Sequence, residues 1–350
     1  MKNVTLGSTG ITVPQNGFGA LPVQRADMDT AVKILRAAYE GGMRFFDTAH
    51  AYSDSEEKIG RAFGDTVFKT DRDKIFIATK GMCETPEELR AQLDQSLRSM
   101  KTDYVDIYQF HCAGQVYRPG DGTGMYEAML EFKEKGLIKH IGITAHKIGI
   151  AEEAIDSGLY ETLQFPFSYL STEREIALVE RCKKANMGLI AMKGLAGGLI
   201  NNSQAAGAFM LQFDNVVPIW GIQKMSELNE WLSFFEKEPV MTDEIRTFIE
   251  NEKKELDGEF CRGCGYCMPC PMGIEINNCA RMSLMIRRAP TGGWLGEHWQ
   301  EEMKKIETCL NCGKCKSKCP YELDTPNLLK KNYEDYKRVL AGEINVGYIE

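Results

Sequence analysis

No apolar run in this 350-residue sequence approaches the roughly 20 residues that a bilayer-spanning helix needs. A membrane role is therefore not expected. Positive charge is also short: 42 Lys and Arg stand against 50 Asp and Glu, a formal net charge of -8. The lysines are mixed with acids rather than gathered in a stripe, which argues against nucleic acid or an anionic membrane as partner. The N-terminal Met1-Lys2-Asn3-Val4-Thr5 runs into turn residues instead of an apolar signal segment. Together these absences predict a soluble, cytoplasmic protein. No Gly-x-Gly-x-x-Gly turn follows the first strand-like segment, which disfavours a doubly wound open sheet.

Alternation of apolar runs with amphipathic stretches fills the first 240 residues. The spacing predicts strands at 16–21, 44–48, 75–80, 104–111, 140–144, 162–167, 188–192 and 216–220. Several are nearly continuous apolar runs, as expected of parallel strands buried on both faces. The helices between them carry end signals. Ala31, Ile34, Leu35 and Ala38 form one face stopped by Gly41-Gly42, and Thr85-Pro86-Glu87-Glu88 opens a helix with Leu89, Leu93 and Leu97 inside. Thr172 and Glu175 form a capping box, and Leu228, Trp231, Leu232 and Phe235 stripe the last helix. Eight such β–α units predict a closed (β/α)8 TIM barrel over 1–240. A charged linking helix is expected at 241–258, then a small, mostly α-helical domain over 259–350 in which 278–286 reads as one amphipathic helix.

Four polar residues fall at or just past strand ends, where a barrel keeps its chemistry. They are Asp47, Tyr52, Lys80 and His111. A carbonyl accepting hydride develops negative charge on oxygen, so an acid must deliver a proton there. A free tyrosine holds its proton too tightly near neutral pH unless a positive charge favours the phenolate. Lys80 can supply that charge, Asp47 can hold Lys80, and His111 can donate a hydrogen bond to the same oxygen.

Nine of the twelve cysteines lie beyond residue 260. Eight form Cys261-x2-Cys264-x2-Cys267-x2-Cys270-Pro271 and Cys309-x2-Cys312-x2-Cys315-x3-Cys319-Pro320. In a reducing compartment such spacing means metal binding rather than disulfides. Structural zinc prefers paired Cys-x-x-Cys arms, whereas triplets followed by Cys-Pro wrap [4Fe–4S] cubanes whose fourth ligand comes from the other motif. The expected sets are Cys261, Cys264, Cys267 and Cys319 for one cluster, and Cys309, Cys312, Cys315 and Cys270 for the other. The first motif is one residue shorter before its last cysteine than the bacterial ferredoxin pattern. Cys279 lies outside both motifs and reads as a buried small residue, and Cys83 and Cys112 read as packing residues.

The segments Phe46-Asp47-Thr48-Ala49-His50-Ala51-Tyr52, Ala78-Thr79-Lys80 and Asp106-Ile107-Tyr108-Gln109-Phe110-His111 resemble the aldo-keto reductase signature, and Asn16-Gly17-Phe18-Gly19 resembles that family's opening strand. The resemblance implies Tyr52 as general acid, Lys80 and Asp47 as its tuning pair, and His111 as carbonyl orienter. It also implies NADP or NAD across the barrel mouth, near Gly19. Gln164 resembles the family's carboxamide-contacting glutamine. Thr144 stands where the family usually has Ser, and Ala145 replaces its Asn. Gly194, Leu195 and Gly197, with Gly221, Gln223 and Lys224, resemble the phosphate and adenosine loops. The long spacer between the cysteine motifs resembles the α-helical ferredoxin arrangement.

Three functions follow as expectations. The first is hydride transfer between nicotinamide and a small carbonyl or alcohol. The second is a relay to an electron-transfer partner protein through the clusters, which needs a one-electron intermediary such as flavin. The third is a nicotinamide-binding regulatory module. Tyr117, Trp220, Trp294 and Trp299 are candidate pocket aromatics, with ordinary packing as the alternative for each.

Overall fold

The computed structural model describes residues 1–256, 260–288 and 291–346. The chain divides into two compact units, one of Met1–Gly194 with Gln204–Met241, the other of Leu195–Ser203 with Thr242–Glu350. The last two positions of the expected linking segment, 257 and 258, lie outside the described residues.

The first unit opens with an antiparallel hairpin, β1 (Asn3–Thr5) and β2 (Thr12–Pro14). Eight parallel strands follow: β3 (Gly17–Gly19), β4 (Phe45–Asp47), β5 (Phe76–Gly81), β6 (Val105–Phe110), β7 (Ile138–Thr144), β8 (Thr162–Pro166), β9 (Gly188–Met192) and β10 (Val216–Gly221). They run in sequence order around a closed barrel, with β10 pairing back onto β3. Every residue of β6 is buried, as a strand between helices and barrel interior must be.

The hairpin is absent from the sequence expectations, because its two strands have only three residues each. Val4, Leu6, Ile11 and Val13 pack with Phe45, Ala78, Ile107, Ile190 and Val217. Gly7 bridges to Met187, just before β9, so the hairpin plugs the N-terminal end of the barrel. The opposite end is left to chemistry.

Caps fix the barrel helices at the expected places. Asp27 accepts from the Thr30 N–H at 2.9 Å to start Met28–Glu40, Thr85 starts Pro86–Met100, and Thr172 with Glu175 completes a capping box before Glu173–Lys184. Each cap contributes about 1 kcal/mol. Met28–Glu40 buries Ala31, Ile34, Leu35 and Ala38, the predicted face. In Met225–Glu236 the deeply buried residues are Leu228, Trp231 and Phe234 rather than Phe235. Leu232 and Phe235 instead pack over Gly41 and Gly42, where an added Cβ would stand 2.6 Å and 3.1 Å from them. The glycine pair both ends one helix and seats another.

The described part of the second unit carries helices and no strand. Asp243–Glu255 starts at a Thr242 cap, and the core gathers Ile274, Ile276, Cys279, Met282, Ile286, Met303, Leu329 and Tyr336. The helix expected over 278–286 is broken into Ile276–Cys279 and Met282–Arg288. Asn332, from Thr325–Leu340, causes the break: its amide donates to the Ala280 carbonyl at 3.1 Å and accepts from the Ser283 N–H at 2.8 Å. Arg288 donates to the Leu199 carbonyl and pairs with Glu252 and Glu255, which ties Leu195–Ser203 to this unit.

Candidate active site and sulfur centres

Asp47 closes β4, Lys80 is the penultimate residue of β5, His111 follows β6 directly, and Tyr52 lies in the loop after β4. Parallel register puts these strand ends side by side at the open mouth. Lys80 Nζ donates to Asp47 Oδ1 at 2.7 Å and to the Thr48 carbonyl at 2.6 Å. Lys80 is 1% exposed and Asp47 2%. The ammonium also lies 4.9 Å from the centre of the Tyr52 ring, and that ring meets the His111 imidazole edge-on with centroids 5.5 Å apart. All four predicted residues thus come together.

The charge states follow from burial and these neighbours. Burial opposes the Lys80 ammonium, but Asp47 and Tyr52 outweigh it and hold its pKa above the ordinary value. Burial lifts the Asp47 carboxyl, against the pull of Lys80, Gln164 and Gln109. Burial also lifts the Tyr52 phenol, while Lys80 pulls it down. On balance burial wins, and Tyr52 keeps its proton near neutral pH. His111 is driven down to about 3, by burial first and Lys80 second, so its imidazole is neutral at pH 7.

Two neighbours escaped the sequence reading. Gln109, inside β6, donates to Gln164 Oε1 at 2.9 Å and to Asp47 Oδ2 at 3.5 Å. Its signal was available, as a polar residue in a strand of otherwise apolar and signature positions. His146 follows β7, is pushed down to about 2 by burial, then by Lys193 and His111, and so adds a second neutral imidazole to the site.

Removing Lys80 would leave Asp47 buried without its cation. Lys80→Met is expected to lower unfolding free energy by about 3–5 kcal/mol, the cost of breaking a buried pair from one side. Denaturant titration at pH 7 checks this; a loss below about 1 kcal/mol would mean the pair is not held as described. The imidazoles give a pH dependence. The unfolded chain takes up protons near pH 6.5, whereas folded His111 waits until about 3. Stability therefore falls as pH drops through that window, by up to about 1.4 kcal/mol per pH unit for one histidine. His111→Gln is expected to flatten the pH 6.5 to 4.5 dependence by that slope, measured as the shift in urea midpoint. An unchanged slope would show His111 protonating normally.

Among the residues anticipated for a nucleotide, Gly19 ends β3, Thr144 ends β7, Gln164 lies within β8, Gly194 follows β9, and Gly221 ends β10. Gln223 and the exposed Lys224 come next. Leu195 and Gly197 belong instead to the second compact unit. The Thr144 hydroxyl accepts from the Cys112 N–H at 2.7 Å, which leaves its own proton to donate. Gln164 gives its carbonyl to Gln109 and one N–H to Asp47 at 3.3 Å, leaving the other N–H. A Cβ on Gly194 would stand 2.6 Å from Trp220, so this glycine serves packing. The remaining protons of Thr144 and Gln164, with the exposed Lys224, fit a nicotinamide dinucleotide.

An open cavity of about 720 Å³ beside His111 is lined by Met82, Cys83, Glu84, Cys112, Gln115 and Tyr117. Cys83 is half-buried and lifted to about 11 by burial and Glu88, so it stays a thiol. Of the candidate aromatics, Tyr117 lines this cavity. Trp220 stacks on Trp231 at 4.0 Å, and Trp294 packs on Trp299 at 4.7 Å.

In the second unit the motif cysteines lie near one another, and Cys267 stands close to Cys315 of the second motif as well as to its own. Burial lifts the Cys261 thiol, and Cys264 and Cys319 lie close enough to add to the effect. Burial, then Cys261 and Cys264 and, more weakly, Cys315, lift Cys267 to about 12. Cys315 is lifted by burial and by Cys309 and Cys312. A cavity lined by Cys267, Cys270, Cys309, Cys312 and Cys315 contains no carboxylate or imidazole. Backbone N–H groups of Gly263 and Met272 point at Cys261 and Cys270 sulfur, each at 3.4 Å. Among the described residues no three Cys, His, Asp or Glu converge on one metal ion. Cubane thiolates ride on separate irons, so they stand further apart than ligands of a single ion. The all-sulfur donor set fits that group.

Residues 15–238 match the Aldo/keto reductase family, and residues 260–324 match a 4Fe-4S dicluster domain. The chain belongs to the aldo/keto reductase family. It is 33% identical over 150 residues to the methylglyoxal reductase DkgB of Salmonella typhi, covering 41% of this chain and 52% of that one. It is 30% identical over 213 residues to the L-galactose dehydrogenase of Arabidopsis thaliana, covering 56% and 66%. The chain thus spans about half to two-thirds of the length of these curated relatives. The barrel fold matches a holo aldo-keto reductase from Bacillus halodurans with TM-score 0.61 at 22% identity, covering 72% of this chain and 96% of that one. No described helix is long and apolar enough to cross a membrane.

Proposed function

We propose that this protein is a cytoplasmic oxidoreductase that reduces a small-molecule carbonyl, or oxidises the alcohol, with NADP or NAD, and that it carries two [4Fe–4S] clusters. The observation that carries the reading is the buried Lys80–Asp47 pair set against Tyr52 and His111 at the barrel mouth. When bound, the nicotinamide supplies hydride. Tyr52 Oη delivers the proton to the carbonyl oxygen as negative charge develops there. Lys80 favours the departing phenolate, and Asp47 keeps Lys80 charged and aimed. Neutral His111 donates a ring N–H to the same oxygen and fixes the carbonyl's orientation. Gln164 and Thr144 would orient the nicotinamide amide with their remaining protons, and Gln223 and Lys224 would face its adenosine end.

Cys261, Cys264, Cys267 and Cys319 would ligate one cubane, and Cys309, Cys312, Cys315 and Cys270 the other. Each cubane would supply a one-electron store. The closeness of Cys261 to Cys264 and Cys319, and of Cys315 to Cys309 and Cys312, supports this division. A second reading, relay to an external electron-transfer protein, is favoured by the solvent exposure of Cys312. The test of the leading reading is stopped-flow oxidation of NADPH and NADH against a carbonyl panel, using anaerobically purified protein. Carbonyl-dependent oxidation supports it; oxidation only in the presence of a one-electron acceptor would turn the assignment toward relay.

A further inference from the structure

Arg281 stands at the break between Ile276–Cys279 and Met282–Arg288 and is 9% exposed. Its Nη1 donates to the Gly197 carbonyl at 2.9 Å and its Nη2 to Asn278 Oδ1 at 3.4 Å. Its Nε–H is buried with no partner among the described residues. Its neighbours Arg287 and Arg288 pair with Asp335 and with Glu252, but no described carboxylate pairs with Arg281. A buried guanidinium without a counter-charge is costly, because desolvation is not offset by attraction.

The missing negative charge has an evident source. The guanidinium lies against the first cysteine motif: a Cβ on Gly263, between Cys261 and Cys264, would stand 2.6 Å from Arg281 Cζ. Gly263 has φ +64 and Gly197 φ +70, and at both sites a side chain would strike the guanidinium. Two glycines thus clear the space in which Arg281 meets the motif backbone. Four thiolates give an oxidised cubane a net negative charge, and one-electron reduction adds another. A fixed cation beside it favours the reduced form.

Resting on the cluster assignment above, we infer that Arg281 is the counter-charge of the cubane bound by Cys261, Cys264, Cys267 and Cys319. Its Nε–H donates to a sulfur of that assembly, and it raises the reduction potential of that cluster selectively. It is a positioning and tuning residue that takes no part in hydride transfer.

The experiment is potentiometric titration, followed by EPR, of the anaerobically prepared full chain and of Arg281→Gln, Arg281→Met and Arg281→Lys. Iron and sulfide are measured on each sample first. Iron-free wild type would defeat the cluster assignment itself; the present inference is judged on loaded wild type. In a loaded neutral variant, one cluster is expected to become at least tenfold harder to reduce, about 59 mV for one electron, while the other stays put. Arg281→Lys should fall between wild type and the neutral variants. Loading of the Lys variant but of neither neutral one would also support the inference, since only charge separates them. Unchanged potentials in a loaded neutral variant would overturn it, as would equal shifts in both clusters. So would loss of clusters from all three variants, which would make the bond to Gly197 the residue's purpose.

Discussion

Tyr52→Phe is expected to lower kcat for carbonyl reduction by about 10²–10⁴-fold, the usual contribution of a positioned general acid. Nicotinamide affinity should stay within about twofold, because the phenol oxygen serves the substrate oxygen and the ring remains. The ring contacts with Lys80 and His111 need no hydroxyl, so the fold should persist. Loss of kcat and of kcat/KM in equal measure would place the interaction in the transition state alone. A variant retaining most of its kcat would remove Tyr52 as the acid. His146 is the residue to examine next, since its imidazole lies close enough to His111 to influence it.

Anaerobically prepared protein is expected to contain about eight iron and about eight acid-labile sulfide per chain, four of each per cubane. Cys312→Ala should remove about half of both, because Cys312 is proposed as a ligand of the second cubane and one thiolate normally anchors each iron. Loss of the cluster should also destabilise the second unit, whose small core is organised around the thiols. Single-turnover hydride transfer should survive in Cys312→Ala, because Asp47, Tyr52, Lys80 and His111 are all residues of the first unit. Zinc in place of iron would contradict the cluster reading, and full iron in Cys312→Ala would contradict this ligand assignment.

The barrel was legible because burial on both faces writes itself as continuous apolar runs, and because caps such as Thr172 with Glu175 are local chemistry. The hairpin Asn3–Pro14 was not, since three-residue strands carry too little periodicity and their partners lie far along the chain. The break at Ala280–Arg281 escaped for a similar reason: Asn332, some fifty residues later, captures the backbone groups a continuous helix would use. At the site, Asp47, Lys80 and His111 could be read as polar punctuation at strand ends. The role of Gln109 depends on its register beside Asp47 and Gln164, which only closure of the barrel provides. Likewise, nothing in the order of residues foretold that Leu195–Ser203 would associate with Arg281 and Arg288.

The central claim is that reducing equivalents reach the carbonyl as hydride, with Tyr52 supplying the proton. Its most direct measurement is a single anaerobic turnover with reduced dinucleotide carrying deuterium at both nicotinamide C4 positions, followed by mass spectrometry of the alcohol product. The account predicts one deuterium on the former carbonyl carbon, transferred even when Cys312 is Ala. Product formed without carbon-bound deuterium, or formed only with the clusters present, would contradict it.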